Sequence, residues 1–328
     1  MLDPGDLEHP IVQAPLGGGP STPALAAAVC EAGGLGFLAA GYKTPDAVRE
    51  DIAAVRAETQ RPFGLNIFAP PGPPGEPEEV ARYAASLDGA GEPRHHDDAF
   101  ADKVALAVAE RVPLVSFTFG CPGRGVFDAL HEAGAAAWAT VTTPGEALVA
   151  RDAGADALVV QGVEAGGHRG GFDDSAPGEI GLLALLQLVA AAVDLPMVAT
   201  GGIATARGVA AVLAAGAVAA QIGTSFMLAD EAGTSAPHRE ALAAGDRPTA
   251  LTRAFTGRAG RGIVNRFLRE HDAAAPSAYP EVHHVTAPIR AAARERGDAE
   301  SVNLWAGQAY PLAEALPAAE IVRRLTPA

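Results

Sequence analysis

Eight short runs of Val, Ile, Phe, Leu and Ala recur along the chain, and Ala-rich segments of helical period ending in Gly alternate with them. The runs span 10–15, 35–40, 63–69, 113–120, 136–141, 157–162, 196–202 and 219–227. This is the strand-then-helix pattern. Runs so continuously apolar predict parallel strands buried on both faces beneath helices. Three helices carry clear punctuation: Thr44-Pro45-Asp46 opens one, Thr143-Pro144-Gly145-Glu146 another, and Thr205 precedes a third that closes at Gly216. Segments 24–32, 124–133 and 143–153 end in EAGG, EAGA and DAGA, so one helix-to-strand turn is reused. Eight such units argue for an α/β fold of the (β/α)8 TIM barrel type. An open doubly wound sheet is the alternative, because spacing does not report closure.

At 328 residues, 48% of them hydrophobic and 19% charged, the chain has enough apolar surface for a large core. A net charge of −15 without a basic patch speaks against nucleic acid and against an anionic membrane surface as partners. The start, MLDPGDLEHPIVQAP, has neither signal- nor transit-peptide character, so the cytoplasm is the expected location. The most apolar stretch, GLLALLQLVAAAVDLPMVA, is broken by Asp194 and Pro196 and reads as a buried helix followed by a strand. Cys30 and Cys121, the only cysteines, are far apart and have no metal-ligand spacing; no metal is expected. Cys30 reads as core. Cys121, in FGCPG, reads as structural, with a place at the site as the alternative.

Two regions depart from the repeat. Residues 70–100 hold PPGPPGEPEE and GEPRHHDD around a short helical pattern near 77–87, an excursion over the third strand's loop. From 229 to 311 the strand pattern stops, and Pro, Arg, His and short helical segments dominate. The expected organisation is therefore a barrel from 1–228 plus 312–328, with its last helix at 312–326, and a smaller, mainly helical cap or substrate domain at 229–311.

In such barrels the active site lies at the C-terminal ends of the strands. Those ends read QAPLGGG, LNIFAP, FTFGCP, VVQGVEAGGHRGG, ATGGIA and QIGTSFM. TGGI before a helix, and QIGTSF some twenty residues later, mark a phosphate site in which Gly201, Gly202, Gly223, Thr224 and Ser225 supply backbone donors. Their blander role is tight turns. Ala14, Pro15 and Leu16 lead into three glycines that would present bare backbone to a flat ligand. Asn66 and Gln161 each offer a donor and an acceptor to a ring edge such as a flavin's, although single amides at strand ends are usually structural. His168 stands among Gly166, Gly167, Gly170 and Gly171, where absent side chains would let backbone approach a ligand. Arg169 reads as a surface arginine, with a part in anion affinity as the alternative. His95, His96, His283 and His284 sit in polar runs and read as loop or capping residues.

The segments PIVQAPLGGGPSTPALAAAVCEAGGLGFLAAGY, PFGLNIFAP, SFTFGCP, ADALVVQGVEAGGHRGG, PMVATGGIATARGVAAVLAAGAVAAQIGTSFM and FTGRAGRGIVNRF together resemble nitronate monooxygenase, the FMN-dependent family once called 2-nitropropane dioxygenase. The likeness runs in order along nearly the whole chain. EAGGHRG, its most specific part, resembles the first class of that family. The resemblance implies a catalytic role for His168 beside the flavin. It also implies FMN contacts at Asn66, Gln161, Gly166, Gly202, Gln221, Gly223 and Thr224, to which Ala14, Pro15, Leu16, Gly167 and Gly201 are added from the strand ends. The family pocket carries tyrosines; of Tyr42, Tyr83, Tyr279 and Tyr310, the candidates here are Tyr279 and Tyr310.

The implied reaction is FMN-dependent oxidation of alkyl nitronates of the propionate 3-nitronate type by O2, with one-electron transfer from nitronate to flavin. His168 would then serve as a proton acceptor for a nitroalkane or, in the favoured role, as a charged partner of the nitronate anion. The expected partners are a small nitronate and O2, and a homo-oligomer is compatible. The main alternative is an FMN-dependent NAD(P)H:quinone or enoyl reductase on the same barrel. A flavin-free lyase or isomerase would want a catalytic Lys or a carboxylate pair at the strand ends, where neither Lys43 nor Lys103 lies. A non-catalytic flavin-binding protein would leave His168 without a role.

Overall fold

The structure, a computed structural model, describes residues 2–327. Eight parallel strands form one sheet: β1 (Ile11–Gln13), β2 (Phe37–Ala39), β3 (Gly64–Phe68), β4 (Leu114–Thr118), β5 (Ala136–Val141), β6 (Ala157–Gln161), β8 (Met197–Thr200) and β9 (Ala219–Ile222). A two-residue strand, β7 (Gly167–His168), lies between β6 and β8 in sequence but outside this sheet. β9 pairs with β1, and the bridge Val12–Leu35 joins β1 to the segment leading into β2, so the sheet closes on itself. It is a (β/α)8 barrel. The run 219–227, expected to be all strand, ends at Ile222 and passes into a 3₁₀ turn at Thr224–Leu228, because Gly223 breaks the ladder.

The surrounding helices start where the sequence marks them. Helices α1 (Pro23–Glu31), α2 (Pro45–Glu58), α6 (Pro144–Ala153) and α8 (Ala206–Ala214) follow Thr22, Thr44, Thr143 and Thr205. Each of those threonines accepts the N–H three residues on, a cap worth about 1 kcal/mol. Helices α3 (Pro77–Ala85), α4 (Phe100–Ala109), α5 (Arg124–Glu132) and α7 (Leu182–Ala192) complete this part of the chain.

Side-chain alternation along the strands sets both cores. Leu38, Leu65, Val115, Leu158 and Ala220 face the helices. Val12, Phe37, Leu114, Trp138, Val159, Val198 and Ala219 fill the interior. Two residues further along the same inward face, Trp138 gives way to Thr140, Val159 to Gln161, Val198 to Thr200 and Ala219 to Gln221. The apolar plug thus ends in a polar floor at the C-terminal mouth.

Beyond the barrel the chain forms α9 (Ala236–Ala244), β10 (Thr249–Thr252), β11 (Gly260–Ile263), α10 (Arg266–His271) and α11 (Glu281–Glu295). Helices hold most of the residues in regular elements between 229 and 311, but the expectation that strands stop there is corrected: β10, β11 and β7 make a three-stranded antiparallel sheet. The pairing is non-local, and β11 (GRGI) has no strand-like apolar alternation to announce it. The excursion's α3 shares a core with this region through Val80, Tyr83, Phe255, Phe267 and Val282, and Tyr83 Oη donates to Ala254 O at 2.6 Å. The final helix, α12 (Ala318–Leu325), begins six residues later than expected; Pro311 and Pro317 hold the segment before it in a 3₁₀ turn and extended chain.

Candidate active site

A cavity of about 600 Å³ opens over the polar floor, between the strand ends and α11. Its size lies within the roughly 300–1,000 Å³ of small-molecule and cofactor sites. From the barrel come Ala14, Pro15 and Leu16 after β1, Asn66 on β3, Gln161 at the end of β6, Gly201 and Gly202 after β8, and Gln221, Gly223 and Thr224 at the end of β9. Gly166, Gly167 and His168 line it from the β6–α7 connection.

Several polar groups here lack protein partners among the described residues. Asn66 Nδ2 donates to Ser116 Oγ at 2.9 Å and Thr118 Oγ1 at 3.0 Å, leaving Oδ1 free. Gln221 is 8% exposed, and its side-chain amide makes no hydrogen bond within the protein. The N–H groups of Gly201, Gly202, Gly223 and Thr224 have no backbone acceptor, and α8 begins at Ala206, shortly after the first pair. Unpaired loop N–H groups converging near a helix N-terminus suit an anion at the mouth, and the free amides suit a ligand with a polar ring edge over the floor.

The 161–171 loop is braced from within. Gln161 Oε1 accepts from Arg169 Nη1 at 3.0 Å and Gly170 N at 2.8 Å, and its Nε2 donates to His168 O at 3.1 Å. Arg169, expected at the surface, is 1% exposed and also donates to the carbonyls of Gly162 and Pro177. Its role is to hold the loop. A Cβ on Gly166 would overlap the Ala306–Gly307 backbone, and Gly167 takes φ +74. Gly166 is therefore required by close protein packing and Gly167 by a left-handed turn.

His168 pairs with Gly260 of β11, so its backbone is part of a sheet. Nε2 lies 2.8 Å from Thr256 Oγ1, and the ring is walled by Phe119, Tyr279 and Trp305 at centroid distances of 5.6, 5.8 and 5.2 Å. Desolvation, then the charges of Arg258 and Arg290, pushes its pKa down to about 3. Without an anion beside it the imidazole is neutral at neutral pH, so a charged His168 requires a bound anion to offset the two arginines.

A profile of the family described as nitronate monooxygenase matches residues 4–328. Nitronate monooxygenase from Pseudomonas aeruginosa is 42% identical over 97% of this chain and 95% of its own length. Nitroalkane oxidase from Streptomyces ansochromogenes superposes with a TM-score of 0.93 at 51% identity, covering 97% of this chain and 95% of that one. FabK from Thermotoga maritima, at 29% identity, gives 0.77 over 98% and 92%. The chain belongs to the nitronate monooxygenase family. It is an enzyme, an oxidoreductase.

In this member of the family the barrel residues singled out in the sequence, with His168, open on one cavity. The tyrosines divide. Tyr310 lines the cavity, but its hydroxyl donates to Arg247 O at 2.6 Å and accepts from Arg247 N at 3.0 Å. Tyr279 packs on His168 yet opens on a small adjoining pocket, where its hydroxyl donates to Tyr42 Oη at 3.1 Å. Tyr42, not selected from sequence, lines the main cavity and stacks on His283 at 4.2 Å. Cys30 is buried in the core as expected, and Cys121 stays outside the cavity lining. His283 is corrected from a loop or capping residue to a cavity wall. The missed signal was periodicity: His283, Ala287, Arg290 and Arg294 fall on one face of α11 and all line the cavity.

Proposed function

We propose that the protein is a cytoplasmic, FMN-dependent enzyme that oxidises alkyl nitronates of the propionate 3-nitronate type with O2. The observation that carries this reading is the convergence of His168, the unpaired loop N–H groups and the free strand-end amides on one cavity, in a chain of the nitronate monooxygenase family. The residues present fit FMN. Gly201, Gly202, Gly223 and Thr224 would hold its phosphate, while Asn66 Oδ1 and the Gln221 amide would meet the ring edge. Ala14, Pro15 and Leu16 would lie against the ring. When bound, the flavin supplies acceptance of one electron from the nitronate and delivery of reducing equivalents to O2.

The protein's own part is to orient, to exclude water and to manage one proton. Thr256 Oγ1 lies 3.2 Å from Arg258 O as well as 2.8 Å from His168 Nε2. A hydroxyl that donates to the carbonyl accepts from Nε2–H, which leaves Nδ1 as the unprotonated nitrogen. An anion held beside the ring raises its proton affinity, since an opposite charge favours imidazolium. His168 therefore waits as a neutral group, and the nitronate's charge favours protonation of Nδ1, which can then donate to the anion.

The test is anaerobic and aerobic mixing of the purified protein with propionate 3-nitronate, ethyl nitronate and NADH in separate arms. Bleaching of a bound flavin by the nitronates, with O2 uptake in air and little response to NADH, is the expected result. A protein that binds no FMN, or one reduced by NADH and inert to nitronates, would remove this reading and favour a reductase.

A further inference from the structure

The charges lining the cavity are one-sided. No carboxylate and no lysine lines it, and burial, aided by nearby positive charge at two of them, holds His168, His238 and His283 with pKa values of about 3, 4 and 2. Arg290 and Arg294, one turn apart on α11, are the lining side chains charged at neutral pH. Arg290 is the buried one, 6% exposed. Its Nε donates to Thr286 Oγ1 at 3.0 Å and its Nη2 to His283 O at 2.8 Å, whereas Nη1 has no protein acceptor and the guanidinium no carboxylate partner among the described residues. Thr286 is itself anchored, donating to Phe255 O at 2.5 Å. A guanidinium fixed in place, desolvated and without a counterion is costly to keep unless an anion meets it.

Its position separates this anion site from the one on the barrel. The loop N–H groups come from the ends of β8 and β9, whereas Arg290 belongs to α11, on the side of the cavity where His283 stacks on Tyr42, Tyr42 meets Tyr279 and Tyr279 packs on His168. His168 and Arg290 line the cavity from different elements, the His168 ring walled by Phe119, Tyr279 and Trp305 and the Arg290 guanidinium bonded to His283 and Thr286, so the guanidinium is placed for a second anionic group on the same molecule.

We propose that Arg290 is a specificity-determining residue that binds the carboxylate of a carboxylate-bearing nitronate and so selects it over plain alkyl nitronates. This deepens the nitronate reading and rests on it. The fork geometry of a guanidinium suits a carboxylate, and a charge-assisted contact of this kind is worth a factor on the order of 10 to 100 in affinity.

Two measurements on wild type, Arg290→Gln and Arg290→Lys test it. In calorimetric titration, 3-nitropropionate, whose carboxylate is ionised at neutral pH, should bind Arg290→Gln at least about 10-fold more weakly than wild type, with Arg290→Lys in between, while 1-nitropropane changes much less. In steady-state kinetics the ratio of kcat/KM for propionate 3-nitronate over ethyl nitronate should fall by a similar factor, mainly through KM, with flavin content retained. Equal losses for both members of either pair, or loss of flavin, would overturn the proposal. If Arg290→Gln does not fold, Arg290→Lys decides: unchanged binding of 3-nitropropionate counts against it. Arg290-dependent binding without oxidation of either nitronate would sink the nitronate reading alone.

Discussion

The imidazole of His168 and the hydroxyl of Thr256 act as one unit, because the 2.8 Å contact fixes which ring nitrogen is committed to the protein and which faces the cavity. His168→Asn should keep FMN absorbance while slowing nitronate turnover on the order of 10²- to 10⁴-fold, as loss of a positioned proton-handling group does. Unchanged turnover would remove the residue from the mechanism. Thr256→Val leaves Nε2 without its partner, so turnover should fall roughly 10-fold and recover in Thr256→Ser. Gly223 lies between the ends of β9 and β1; a side chain there meets Leu16 and Ala14 and projects toward the space assigned to the phosphate. Gly223→Leu should fold and purify with little flavin, and a fully yellow variant would refute that assignment.

At the scale of elements, His168 is held by a sheet that joins two parts of the chain. β7 carries it, β11 pairs with β7, and Ala306 N donates to Arg261 O on β11, so the barrel strands and the segment after 229 meet at residues 166–168. Gly166 is the point of closest approach. Gly166→Val would force the 306–307 backbone away, an overpacking cost of typically 1–3 kcal/mol. A lower melting temperature together with a loss of turnover is the expected outcome; a melting temperature as in wild type would mean that this contact is not tight. None of this was legible in the sequence. EAGGHRG reads as a glycine-rich loop, and its ladder partner lies some ninety residues on, in a stretch whose arginines and glycines hide a strand.

For the whole molecule, one buried and two half-buried histidines couple fold to pH. His168, His238 and His283 all have folded pKa values pushed well below the usual 6.5, chiefly by desolvation. Their neutral forms contribute stability that is full above about pH 6.5 and is lost as pH falls toward 4 and below, because the unfolded chain then binds more protons. Urea midpoints should rise between pH 4 and 6.5, with a shallower rise in His283→Gln; a flat profile would contradict the burial. The pH profile of kcat/KM, which reports the free enzyme, should show no step near pH 6.5 from His168. Among the described residues no helix is long and apolar enough to cross a membrane. The eight barrel strands, the threonine caps at Thr44, Thr143 and Thr205 and the glycine turns after β8 and β9 were determined by sequence, because alternation, capping and turn chemistry are local. Tertiary structure alone decided that Arg169 is buried, that His168 is uncharged and that Arg290 faces the same cavity. Desolvation and counterion distance depend on which distant segments pack together, and no local pattern encodes them.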